Sequence, residues 1–198
     1  MSDRSASPRP DPRVEVRELR IHGRGGQGAV IASKILASAL FREGSSVQSF
    51  PAFGVERRGA PVRAFIRVDS GPIPLRNEID EPDVVLVLDP TLIRVVNVTE
   101  GLKKDGIVIL NTSKSIAEIK KEYGITAKVA TVNATRIATE NLGRPIANTT
   151  MMGALIKVTS VIAIESLKEA FGHRFGKLGE KNYKSCQTAF GETVMEGR

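Results

Sequence analysis

A glycine-dense turn near the N-terminus is the segment of this chain best suited to chemistry. A strand-like run ending at His22 leads into it, and a helix is predicted directly after it. Its residues are Gly23, Arg24, Gly25, Gly26, Gln27 and Gly28. The spacing G-x-G-x-x-G brings backbone close to an anion at a helix N-terminus, and glycine reaches positive φ without a Cβ to block the approach. The turn therefore predicts a surface for an anion, a carbonyl oxygen or a partner's loop.

A dinucleotide would need more than this turn. An acidic residue about 20 positions later, at the end of the second strand, normally holds the ribose. Here that strand ends in Gln48-Ser49-Phe50-Pro51, and Glu43 comes earlier, at the end of the helix. No Gly-Lys-Ser/Thr follows the turn, which excludes a Walker-type phosphate loop. A standalone nucleotide-binding oxidoreductase stays as an alternative that lacks its ribose-binding acid.

A second loop places a carboxylate beside two arginines between glycines. Its candidate site residues are Phe53, Gly54, Glu56, Arg57, Arg58 and Gly59. Arginine makes bidentate contacts with carboxylate or phosphate groups, so the loop predicts an interface or a ligand contact. The alternative is a solvated turn with local ion pairing, which would stabilise the fold by only about 0–1 kcal/mol.

Cysteine and histidine usage argues against a metal centre within the chain. Cys186 is the only cysteine, so the chain forms no internal disulfide and does not supply the four thiolates of a typical iron–sulfur cluster. We expect Cys186 to be a small buried apolar residue in the last helix. His22 and His173 lie far apart and give no zinc spacing.

Length and charge limit the remaining classes. The 198 residues, 41% of them hydrophobic, suit one domain, which we place at 14–198 after a leader at 1–13 that we expect to be disordered. Without an apolar run of roughly 20 residues or a signal peptide, we expect a cytoplasmic protein and no membrane contact. The net charge of +7 comes with only 5% aromatic residues and no tryptophan. It favours an acidic partner or anionic cofactor over nucleic acid, and a basic partner-binding module stays as another alternative.

Alternating strands and helices predict an α/β fold. We expect a three-layer, mostly parallel, Rossmann-like sheet with helices on both faces. Asn148-Thr149-Thr150 is predicted to cap a long apolar helix. The predicted strands are 14–22, 47–50, 62–68, 84–88, 106–110 and 126–132, and the predicted helices are 27–42, 115–123, 133–142, 151–164, 165–171 and 180–194.

Several blocks of this sequence, taken in order, resemble a known family. The two loops, at 23–30 and 50–62, are similar to those of the gamma subunits of 2-oxoacid:ferredoxin oxidoreductases. The similarity continues through 84–89, 148–154 and 165–167, and it covers about 14–194. In 2-oxoglutarate-type relatives the second loop usually carries Arg-Gly-Gly. Arg58-Gly59-Ala60-Pro61 therefore favours pyruvate or a branched-chain 2-oxoacid as the substrate.

The resemblance implies a subunit of a larger enzyme of anaerobic metabolism. Such complexes convert a 2-oxoacid and coenzyme A to an acyl-CoA, carbon dioxide and reduced ferredoxin. The family's alpha and beta subunits bind thiamine diphosphate with Mg²⁺, and its beta and delta-type subunits carry [4Fe–4S] clusters. This chain is then not catalytic alone and supplies no nucleophile or general base. Its two loops are expected to face the catalytic subunits, where they contact coenzyme A, the substrate or only the partner chains.

Overall fold

A seven-stranded mixed sheet lies at the centre of the computed structural model, which describes residues 18–52, 58–75 and 77–196. Its order within these residues is β2-β3-β1-β4-β5-β6-β7. The strands are β1 (Glu18–Arg24), β2 (Ser46–Pro51), β3 (Pro61–Asp69), β4 (Val84–Val87), β5 (Ile107–Asn111), β6 (Lys128–Val132) and β7 (Val194–Met195). The predicted leader, 1–13, lies outside the described residues.

The α/β class is confirmed, but the expectation of a mostly parallel sheet holds only in part. The central strands β1, β4, β5 and β6 pair in parallel, whereas β2–β3, β3–β1 and β6–β7 pair antiparallel. The reason lies in the connection between β2 and β3. These consecutive strands pair antiparallel, and β3 lies between β2 and β1 and runs opposite to both.

Helices cover both faces of the sheet, as expected, but very unequally. The described residues form six α-helices, α1 (Ala29–Arg42), α2 (Ile116–Tyr123), α3 (Ala134–Leu142), α4 (Asn148–Thr159), α5 (Ser166–Phe175) and α6 (Gly179–Glu192). All but α2 pack on the face that presents Leu19 and Ile21 of β1, where they bury the larger core. The other face holds a smaller core under α2 and a 3₁₀ turn, Pro90–Arg94.

The start of α4 differs from the prediction. Asn148, Thr149 and Thr150 are buried inside its first turn, and Ala147 holds the N-cap position without a side-chain hydrogen bond. The physical reason is that α4 packs against α6 at this point. The Thr149 hydroxyl donates to Asn182 Oδ1 of α6 at 2.7 Å, and the Thr150 and Ser185 hydroxyls lie 2.7 Å apart. These polar side chains therefore join α4 to α6 and do not cap α4.

The ends of the three C-terminal helices were also predicted wrongly, and α5 continues to Phe175, four residues past its predicted end. Helix α4 stops at Thr159, five residues before the predicted end, because Ser160 adopts a left-handed conformation with φ of 50°. Residues 194–195 pair with β6 as β7 and do not extend α6. The prediction for Cys186 is confirmed: it is fully buried in α6, and burial raises the pKa of its thiol.

Two buried basic side chains extend from β1 on the smaller-core side. Arg20 and His22 are 3% and 4% exposed. Arg20 Nε donates to His22 Nε2 at 3.0 Å, and Arg20 also donates to the carbonyl oxygens of Val98 and Glu100. Burial, with the charges of Arg20 and Arg63, lowers the pKa of His22 to about 3.

This burial predicts a loss of stability in mild acid. In the unfolded chain His22 takes up a proton below its ordinary pKa of 6.5, whereas in the folded protein it stays neutral down to about pH 3. Between these two values the unfolded state binds more protons than the folded state. The free energy of unfolding therefore falls by up to about 1.4 kcal/mol for each pH unit below 6.5. His22→Gln keeps an acceptor for Arg20 and does not titrate. Urea unfolding between pH 7.5 and 5 should show a smaller fall in the free energy of unfolding for the variant than for the wild type. Equal falls would contradict the prediction.

Candidate functional site

The glycine turn lies at the topological switch point of the sheet. The chain leaves β1 through α1 toward β2 on one side, while β4 lies on the other side of β1. Ligands of open α/β sheets bind at such a point, beyond the carboxyl ends of the strands. Here the turn after β1 meets Asp89 and the 3₁₀ turn that follow β4, and the Leu88 N–H donates to the His22 carbonyl oxygen at 2.9 Å.

Arg24 is fixed by three acceptors from two other segments, the second loop and the turn after β4. Its Nε donates to Asp89 Oδ2 at 2.9 Å, one terminal nitrogen donates to the Gly59 carbonyl oxygen at 3.1 Å, and the other donates to Thr91 Oγ1 at 2.9 Å. The Arg24 side chain stays 28% exposed. A single guanidinium therefore joins the glycine turn, the second loop and the end of β4, and it still faces solvent.

The backbone of the two predicted loops is also joined directly. The Gly25 N–H donates to the Ala60 carbonyl oxygen at 2.9 Å, and the Gly59 N–H donates to the Gly25 carbonyl oxygen at 3.0 Å. Arg58 pairs with Gly25 in an isolated bridge. The structure thus brings 23–28 together with Arg58 and Gly59. The other predicted loop residues, Phe53, Gly54, Glu56 and Arg57, lie outside the described residues.

Gln27 links the turn to itself and to β4. Its Oε1 accepts the Arg24 N–H at 2.8 Å, and its Nε2 donates to Asp89 Oδ2 at 3.0 Å. The Gln27 N–H in turn donates to the Arg24 carbonyl oxygen at 2.9 Å. Several N–H groups that a pyrophosphate would need are therefore already used within the protein.

The dinucleotide alternative fails on strand order as well. In a dinucleotide-binding fold the second strand lies beside the first, so that its terminal acid reaches the ribose. Here β3 lies between β1 and β2, and β2 ends at Pro51 without a carboxylate. The geometry therefore gives no support to a standalone nucleotide-binding enzyme.

Asp89 is a site residue that the sequence analysis missed. Its Oδ1 accepts the N–H and hydroxyl of Thr91 at 3.0 and 2.6 Å, while Oδ2 accepts from Arg24 and Gln27. Burial raises the pKa of this carboxyl group, but the hydrogen bonds from Thr91, Gln27 and Arg24 outweigh it and leave the pKa lowered. The available signal was Asp-Pro at the end of a buried strand, which marks a helix N-cap at the ligand-binding edge of the sheet.

Gly28 brings the first turns of α1 and α4 into contact. Its φ is +82°, and a Cβ at this position would lie 2.2 Å from Asn148 Nδ2. Neither helix has a side-chain N-cap hydrogen bond or an acidic residue in its first turn. The partial positive charge of both N-termini is thus left uncompensated by carboxylates of their first turns.

A cleft of about 250 Å³ lies beside this contact. It is lined by Gly26, Gln27, Leu88, Asn111, Thr135 and 145–148, none of which is ionisable. Asn111 is 6% exposed and is fixed by hydrogen bonds to the Leu88 carbonyl oxygen and to Thr135, each at 2.8 Å. Such a lining can bind a polar group, but it holds no general acid or base.

Residues 18–52, 58–75 and 77–196 contain neither a candidate metal site nor a candidate membrane-spanning helix. In these ranges no three His, Cys, Asp or Glu side chains lie together as a metal site would need. None of the helices formed there is both long and apolar enough to cross a bilayer.

Comparison with known proteins assigns the family. The family model described as pyruvate ferredoxin/flavodoxin oxidoreductase matches residues 18–192. The chain belongs to this family. Within the pyruvate ferredoxin/flavodoxin oxidoreductase family, it is 56% identical over 183 residues to the "Pyruvate/ketoisovalerate oxidoreductases common subunit gamma" of Thermococcus kodakarensis, covering 90% of this chain and 97% of that protein. It is 53% identical over 180 residues to the pyruvate synthase subunit PorC of Methanocaldococcus jannaschii, covering 90% and 98%.

Two solved structures agree with the fold. The pyruvate oxidoreductase subunit PORC of Thermotoga maritima superposes with a TM-score of 0.82 at 36% identity, covering 92% of this chain and 99% of that chain. A 2-oxoglutarate:ferredoxin oxidoreductase of Magnetococcus marinus shares the fold, with a TM-score of 0.68 at 21% identity, over 89% of this chain and 30% of its own. The resemblance seen in the sequence is thus confirmed: this is a gamma subunit of the family.

Proposed function

We propose that this subunit serves a complex that oxidatively decarboxylates a 2-oxoacid with coenzyme A, giving an acyl-CoA, carbon dioxide and reduced ferredoxin. The observation that carries the proposal is similarity over nearly the whole length of gamma subunits named for pyruvate and ketoisovalerate enzymes. Pyruvate or a branched-chain 2-oxoacid is the proposed substrate. The partners are alpha, beta and delta-type subunits, with ferredoxin as the acceptor, in the cytoplasm.

The reactive cofactors are proposed to lie on those partners. Thiamine diphosphate with Mg²⁺ supplies the carbanion chemistry, and [4Fe–4S] clusters carry the electrons. An iron–sulfur cluster does not fit this chain, since its one cysteine, Cys186, is fully buried in α6. The contribution proposed for this chain is to bind and orient reactants.

The glycine turn and the second loop are proposed to provide that contribution. Arg24 presents a partly exposed guanidinium, and the N-terminus of α1, which begins directly after the turn, adds partial positive charge. Coenzyme A carries phosphates and a 2-oxoacid carries a carboxylate, so either anion suits this surface. The proposed surface consists of Gly23, Arg24, Gly25, Gly26, Gln27 and Gly28 with Phe53, Gly54, Glu56, Arg57, Arg58 and Gly59.

An arginine double variant tests the second loop. Arg57→Ala with Arg58→Ala should raise the KM for coenzyme A or the 2-oxoacid by about tenfold in the assembled enzyme, the size expected for loss of one charge-assisted contact. Arg94→Ala with Arg136→Ala removes two arginines whose partners are the surface acids Glu122 and Glu140, and it is the matched control. Unchanged assembly, kcat and both KM values in the loop variant would contradict this role.

A substrate panel tests the proposed reaction. The purified complex should reduce a low-potential dye in a coenzyme A-dependent manner with pyruvate or 2-oxoisovalerate. We expect 2-oxoglutarate to be a poorer substrate, because Arg58-Gly59-Ala60-Pro61 replaces the pattern usual in 2-oxoglutarate-type relatives. Preference for 2-oxoglutarate, or reduction independent of coenzyme A, would contradict the proposal.

A further inference from the structure

Two of the N–H groups of the Arg24 guanidinium are not used in its contacts with Asp89, Gly59 and Thr91. A guanidinium carries five N–H groups, one on Nε and two on each terminal nitrogen. The contacts with Asp89, Gly59 and Thr91 use one donor on each of the three nitrogens. One N–H on each terminal nitrogen is left, on a side chain that remains 28% exposed. Paired N–H groups of a guanidinium recognise a carboxylate or a phosphate.

Asp89 is less exposed than the arginine that it contacts. Its side chain is 16% exposed, and its two oxygens accept four hydrogen bonds. Thr91 holds one oxygen through both its N–H and its hydroxyl, which fixes the carboxylate at the end of β4. The other oxygen accepts from Arg24 Nε, and Thr91, which is itself bonded to Asp89, accepts from one of the terminal nitrogens.

We infer that Asp89 is a positioning residue, which holds Arg24 so that its two remaining N–H groups bind an oxyanion of a reactant. That oxyanion is the carboxylate of the 2-oxoacid or a phosphate of coenzyme A. The inference rests on the proposed function, which supplies the anion. The N-terminus of α1 follows the glycine turn directly and has no acidic residue in its first turn, so its partial positive charge favours an anionic reactant.

Asp89→Asn tests the inference in the assembled enzyme. The asparagine keeps the size and can still accept from Thr91, but its amide then faces the Arg24 and Gln27 donors and releases them. We expect the KM for one reactant to rise about tenfold while kcat stays within about twofold. Glu122→Gln is the matched control, because Glu122 accepts from Arg94 at 2.8 Å on the exposed surface of α2. It should leave both KM values unchanged.

A double-mutant cycle separates positioning from a general structural effect. If Asp89 acts through Arg24, then Asp89→Asn adds little to the KM already raised by Arg24→Ala. If the two effects on KM multiply, the inference is overturned. Should Asp89→Asn not assemble, Thr91→Val provides the same test, since it removes a hydroxyl that contacts both side chains. It should raise the same KM about threefold, and an unchanged KM would overturn the inference.

The reactant whose KM rises identifies the oxyanion. A rise for the 2-oxoacid assigns its carboxylate, and a rise for coenzyme A assigns a phosphate. Weaker subunit assembly with both KM values unchanged overturns the inference, because Arg24 then serves a partner chain. A wild-type complex without coenzyme A-dependent activity overturns the proposed function itself, which distinguishes the two failures.

Discussion

Gly153→Ala should lower the free energy of unfolding by about 3 kcal/mol, the upper range for overpacking a core. A Cβ at this position of α4 would lie 1.9 Å from the Cys186 carbonyl oxygen and 2.9 Å from the Phe190 nitrogen, both in the backbone of α6. No side-chain rotation can relieve such a contact, so the two helices must separate. The Tm should fall by about 6–12 °C for a domain of this size.

Gly191→Ala is the matched control for this prediction. Gly191 lies in α6, but a Cβ there would meet nothing within 4 Å. Alanine is the better helix former by about 1 kcal/mol, so this variant should be unchanged or slightly more stable. Equal effects of the two substitutions on the free energy of unfolding would contradict the close crossing of α4 and α6.

Gly28→Ala should be the second most damaging single substitution, with a loss of about 2–3 kcal/mol in the free energy of unfolding. Two effects add here. The φ of +82° strains any side chain, and the new Cβ would lie 2.2 Å from Asn148 Nδ2. Asn148→Ala in the same chain removes the second effect and should recover about half of the loss. Urea unfolding of the single and double variants measures both effects.

Gly26→Ala separates strain from collision in the same turn. Its φ is +95°, yet a Cβ there would meet nothing within 4 Å, so only the strain of about 1–2 kcal/mol applies. A loss as large as that of Gly28→Ala, or no recovery on adding Asn148→Ala to Gly28→Ala, would contradict the contact between α1 and α4.

Local signals in the sequence predict much of this fold correctly. Ser115 begins α2 with a capping box to Glu118, and Asn133 and Gly143 bound α3. The apolar run at 84–88 becomes the buried strand β4. Each of these features depends on residues that are near neighbours along the chain, so a pattern of a few positions is enough.

Features that depend on distant partners could not be predicted in this way. The polar start of α4 looks like a cap until α6 supplies the partners of Thr149 and Thr150. The same distinction between local and distant partners applies to the candidate site. Positive φ at Gly28 follows from its place in the turn, whereas Asp89 meets Arg24 only because β1 and β4 are neighbours in the sheet.

Native purification with identification of the co-purifying chains tests the central claim most directly. The chain should emerge with alpha, beta and delta-type subunits, in a complex that contains thiamine diphosphate and iron and oxidises pyruvate or a branched-chain 2-oxoacid only with coenzyme A. A chain that purifies alone, while coenzyme A-dependent 2-oxoacid oxidation elutes elsewhere without it, would contradict its role as the gamma subunit of that enzyme.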